Sequence, residues 1–132
     1  MEWNNIYDAE GQDGKENKKA YEELPRIMQY FISSQQKQLS ERIINGVRRK
    51  YGEAGVKALV KTSGFRSPSV TSRHHGVSNS LHHFGLAIDV RKCNPFLHDR
   101  PFEPCELVQV VDSGDVWHIQ FKRGSVTMPE LS

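Results

Sequence analysis

The sequence predicts one α+β domain, with N-terminal helices packed on a small antiparallel sheet. Three observations predict it. Apolar residues recur at helical spacing between residues 24 and 51. After residue 86 they fall into short strand-like runs, and turn-forming Gly, Ser and Asp separate the last of these. Helices followed by strands, rather than alternating with them, argue for segregated layers. At 132 residues the chain has room for one compact domain and not for two.

Taken in order, residues 1–20 carry Gly11, Gly14 and many charges without a period, and read as a flexible leader. The domain proper is expected over residues 21–124. Leu24, Ile27, Met28, Phe31 and Ile32 have helical spacing, with Pro25 suited to a first turn. A second helix is expected through Leu39, Ile43, Ile44, Val47 and Tyr51, with Ser40 as its start and Gly52 as its stop. Val56 to Thr62 reads as a strand ending at Ser63-Gly64, and Leu86 to Arg91 as a second. Glu106–Val111 and Val116–Lys122 are two more, joined by the turn Asp112-Ser113-Gly114-Asp115. Residues 125–132 read as a loose tail.

Composition excludes several functions. Lys and Arg number 18 against 16 Asp and Glu, and no dense basic stripe appears, which argues against a nucleic-acid partner. No run approaches the roughly 20 apolar residues of a membrane-spanning helix. Met1-Glu2-Trp3-Asn4-Asn5 lacks the charged and apolar regions of a secretory signal. The chain therefore reads as cytoplasmic, released by a lytic route, or stripped of its signal. Cys93 and Cys105 make no disulfide framework and read as free thiols, and their spacing without a Cys-x-x-Cys argues against a second metal site.

The chemistry concentrates in one region. All six histidines fall between residues 74 and 118, and the long Ser-, His- and Gly-rich stretch from Arg66 to His83 is of a length that is usually functional or disordered. A catalytic zinc takes three N or O ligands and keeps a position open for water, a need met by two His and one carboxylate. On the last strand His118 and Gln120 share one face, while Trp117, Ile119 and Phe121 turn to the other, where a core would lie. Gly85 leaves room for a close chain approach. His74, His75, His83 and His98 read as solvated or supporting residues rather than ligands.

Three elements in order carry a resemblance. They are Ser63-Gly64-Phe65-Arg66-Ser67, then Ser80-Leu81-His82-His83-Phe84-Gly85-Leu86-Ala87-Ile88-Asp89, then Asp115-Val116-Trp117-His118. The set resembles the zinc D-Ala-D-Ala carboxypeptidase family, whose relatives include phage endolysins that cut L-Ala-D-Glu bonds and D-Ala-D-Ala dipeptidases. The resemblance implies a hedgehog/DD-peptidase type of fold and a Zn2+ ion held by His82, Asp89 and His118. It implies Asp115 as general base, with Arg66 holding a substrate carboxylate or the developing oxyanion. Ser80 would contact substrate or orient a ligand. The substrates implied are peptidoglycan stem peptides or muropeptides. Carboxypeptidase, endopeptidase and intracellular dipeptidase remain open, as does a zinc-bearing binding module of the same fold without catalysis.

Overall fold

A computed structural model describes residues 11–67, 81–92, 100–101 and 107–127. Among them, two helices and a four-stranded antiparallel sheet make up an α+β fold compatible with that family, as the sequence predicts.

Helix α1 spans Gly11–Glu23, so residues 11–20 belong to the folded unit rather than to an aperiodic leader. The apolar period fails there because the buried face uses small and polar groups. Gly14 and Asn17 are buried, and Ala20, Tyr21 and Leu24 pack against the core. Asn17 is fixed by the backbone N–H of Ser67, which donates to its Oδ1 at 2.8 Å. Tyr21 meets Phe65 edge to face, 5.8 Å between ring centres, and donates its hydroxyl to the Gln29 carbonyl. Pro25, which lacks an N–H and disfavours helical geometry at Leu24, separates α1 from α2.

Helix α2 runs over Arg26–Lys57, joining the two helices that the sequence separates at Ser40. Ser40 lies inside it. The polar stretch Ser33 to Gln38 contains no Gly or Pro to break the ladder, and Gln36 is buried in step with Met28, Ile32, Leu39, Ile43 and Val47. Gly52 interrupts the helix as expected, at φ 73° and ψ −168°. The chain then resumes helical turns instead of starting a strand. Val56 and Leu59, which suggest strand alternation, also stand at helical spacing, and both pack on the core. The strand β1 is accordingly only Lys61–Ser63. Lys61 is almost fully buried, and loss of water pulls its pKa down to about 8.

Strands β2 (Ala87–Arg91), β3 (Val108–Ser113) and β4 (Val116–Phe121) complete the sheet in the order β1-β2-β4-β3. Gly114, at φ 73°, makes the β3–β4 turn. Register sorts the two faces. Ile88 pairs with Ile119, Val90 with Trp117 and Val108 with Phe121, and these side chains are buried with the apolar stripe of α2. On the opposite face Asp89 pairs with His118, and Gln109 with Gln120. Burial along β4 alternates residue by residue, with Trp117, Ile119 and Phe121 inward as predicted. Beyond it Val126 also packs on the core, so part of the expected tail is attached.

Leu81–Phe84 forms one 3-10 turn leading into β2. Gly85 follows at φ 72°, and a Cβ there would lie 2.6 Å from the Ile32 carbonyl oxygen and 2.9 Å from its Cγ2. Gly85→Ala is therefore expected to destabilise the fold by about 1–3 kcal/mol through overpacking, on top of the left-handed backbone cost. Urea unfolding of the metal-free protein checks this, and an unchanged midpoint would refute the close approach of α2.

Candidate metal centre

Two parts of the chain meet at the edge of β2. The backbone N–H of Arg66 donates to the His82 carbonyl at 3.1 Å, and Ser63 pairs with Asp89 across the β1–β2 ladder. These contacts bring Ser63–Ser67 beside the His82–Asp89 segment. The third part arrives through the β2–β4 ladder, which sets His118 directly opposite Asp89.

The side chains converge on one oxygen. His82 Nε2 lies 3.3 Å from Asp89 Oδ1, and His118 Nδ1 lies 3.0 Å from the same atom. The two rings stand 5.0 Å apart between centres. Each ring is held at its other nitrogen. His82 Nδ1 donates to the Gly64 carbonyl at 2.9 Å, and His118 Nε2 contacts Gln120 Oε1 at 2.7 Å. Ligands about 2.0–2.1 Å from a tetrahedral ion are separated by roughly 3.3 Å, close to the spacings of the two histidines from Asp89. The potential ligand atoms of His82, Asp89 and His118 all lie within 4.8 Å of one another, and the group could hold a metal ion. Two imidazoles and a carboxylate are a donor set suited to zinc and related transition ions.

Electrostatics follow from this packing. Burial opposes ionisation of Asp89, but the hydrogen bond from His118 and the charge on that ring outweigh it and hold its carboxyl well below the ordinary range. Burial lowers the His82 pKa and keeps that ring neutral, the form a ligand requires. Burial acts the same way on His118, yet its hydrogen bonds to Asp89 and Gln120 prevail and raise its pKa. Arg66 Nη2 stands 3.6 Å from Asp89 Oδ2, on the oxygen turned away from the histidines. Its Nε is buried with no hydrogen-bond partner among the described residues.

The remaining predicted residues are placed as follows. Asp115 is exposed in the β3–β4 turn, its carbonyl accepting the Lys92 N–H at 3.0 Å, and it is not among the three clustered groups. His83 is half-buried beside Phe84 and outside the cluster. Ser80, His74, His75, His98, Cys93 and Cys105 lie outside the described residues. Sequence reasoning misses the Gly64 carbonyl and the Gln109 side chain, which donates nothing to the cluster but accepts the Gln120 amide at 3.3 Å. No periodicity marks a backbone acceptor, and an exposed strand Gln carries no signal of its own.

A family model described as Peptidase M15 matches residues 17–113, more than half of the chain. The match takes in Arg66, His82 and Asp89 and ends before Asp115 and His118. No curated protein and no solved structure matches the chain significantly.

Proposed function

The chain belongs to the peptidase M15 family of zinc peptidases, and from that premise we propose that it hydrolyses peptide bonds of peptidoglycan stem peptides. The observation that carries the reading is the convergence of His82, Asp89 and His118 on a single carboxylate oxygen. These three residues would hold the zinc. The ion, when bound, supplies a water with a pKa near 7 and an electrophilic partner for the scissile carbonyl.

The other steps belong to the chain. Arg66, its guanidinium held beside Asp89 and partly exposed, binds a substrate carboxylate or the oxyanion that forms at the attacked carbonyl. Asp115 accepts the proton released from the attacking water and returns it to the leaving amine. Support for Asp115 comes from its spacing to His118 and its position in the turn immediately before β4. Peptide substrates follow from the family, and the cell-wall assignment rests on the resemblance of the three motifs.

One observation favours a second reading. Asp115 is exposed and stands apart from the cluster, an arrangement that also suits a zinc-bearing binding module without turnover. Mass spectrometry of defined muropeptides separates the two. Zinc-loaded protein is expected to release fragments whose masses name the bond, and a chelated control to release none. Intact muropeptides with one zinc bound per chain would select the binding module.

A further inference from the structure

We infer that Gln120 and Gln109 form a relay that sets which nitrogen of His118 faces the metal position, making Gln120 a positioning residue for the centre. The inference rests on His82, Asp89 and His118 being the zinc ligands.

The two histidines are steadied by different means. For His82 the far nitrogen meets a backbone carbonyl, that of Gly64. A carbonyl can only accept, so Nδ1 must carry the proton and Nε2 turns to Asp89. For His118 the far nitrogen, Nε2, meets a side-chain amide. An amide is ambiguous, because a half turn exchanges its oxygen for its NH2 group. With the oxygen facing the ring, Nε2 carries hydrogen and Nδ1 is directed at Asp89 Oδ1. With the NH2 facing it, Nε2 would have to supply the lone pair, and Nδ1 would carry the hydrogen.

Gln109, itself an amide, biases the choice by offering its oxygen to the Gln120 NH2 group. It lies directly across the β3–β4 ladder from Gln120, and its Oε1 accepts the Gln120 Nε2–H at 3.3 Å. That bond turns the Gln120 oxygen toward His118, where the contact is 2.7 Å. Strand geometry makes the arrangement possible, since residues two apart on β4 share a face and registered residues on neighbouring strands do too. Gln120 is also half-buried, which limits how often water replaces the ring as its partner. Partners that orient a ligand histidine commonly govern metal affinity by 10–100-fold.

The test compares Gln120→Leu, Gln120→Glu and Gln109→Leu by competition for zinc against a chromophoric chelator. Expected is a loss of about tenfold in affinity for Gln120→Leu, and a smaller loss for Gln109→Leu. Gln120→Glu, whose carboxylate can only accept, should bind at least as tightly as the parent. In zinc-loaded parent protein, nitrogen-detected NMR should show His118 protonated at Nε2 with slowed exchange, a signal absent from Gln120→Leu. Zinc affinity within twofold of the parent in Gln120→Leu, or weakened binding in Gln120→Glu, overturns the relay while leaving the metal centre standing. A parent protein that binds no zinc defeats the metal-centre reading itself, and the relay with it.

Discussion

Asp89→Asn should abolish both zinc binding and hydrolysis while leaving the fold in place. The substitution keeps the shape of the side chain and removes its charge. Asp89 gives one oxygen to both histidines and the other to Arg66, so its loss strips the centre of its only negative group among the clustered residues. We expect zinc affinity to fall by more than the roughly 100-fold that accompanies loss of an outer partner, with muropeptide cleavage at background. Backbone pairing of Asp89 with His118 and Ser63 does not depend on the side chain, so the far-ultraviolet spectrum should persist. The pH dependence gives a second reading on metal-free protein. The folded-state pKa of Asp89 lies below its ordinary value of 3.8, so its ionisation stabilises the fold above that pH. The contribution is lost as pH falls below about 3.8 and through the depressed value. Asp89→Asn should lack this part of the acid destabilisation. Zinc binding at the parent's affinity in Asp89→Asn would remove the carboxylate from the ligand set.

How much of this can be read from the sequence depends on how local each signal is. The β4 pattern is local: five alternating side chains from Trp117 to Phe121 announce a strand with one wet face, and burial follows that alternation. The three-residue clustering is legible for a different reason. His82 and Asp89 are close in sequence, and His118 joins them through a motif and a ladder register that places it opposite Asp89. Helix α1 escapes because Gly14 and Asn17, not apolar residues, occupy its buried face. The break expected at Ser40 disappears because tertiary burial of Gln36 carries the stripe of α2 across a polar stretch. Val56 to Val60 reads equally as strand or helix, and the chain after Gly52 settles it toward helix by packing Val56 and Leu59 inward. The supports of the histidines, a carbonyl at Gly64 and a cross-strand amide at Gln109, exist only once the strands are paired.

Asp115→Ala is expected to lower kcat by 10²–10⁴-fold, the usual worth of a positioned acid–base group, with zinc affinity unchanged. The structure makes this a demanding expectation. Val116 is already paired with Arg91 and Ser113, so Asp115 is the first residue off the strand. Three residues of extended chain span about 10 Å, more than an Asp side chain can cover along a straight path to a water that the zinc would hold. The base role therefore requires the Gly114–Asp115 turn to curl over the face that carries Asp89 and His118. Its backbone anchor, the Lys92 N–H on the Asp115 carbonyl, is a bond to the residue following β2 and ties the turn to the strand that bears Asp89. Two variants separate reach from chemistry. Asp115→Glu adds one methylene and should retain much of the rate, whereas Asp115→Asn keeps the length, loses the proton acceptor and should match the alanine variant. Single-turnover cleavage of a muropeptide at saturating zinc measures all three. If alanine and parent cleave at the same rate, the proton is carried by another group, and the turn serves only to close β3 onto β4. If all three bind zinc and none cleaves, nor does the parent, the centre is a binding site whose acid lies too far from the metal to act.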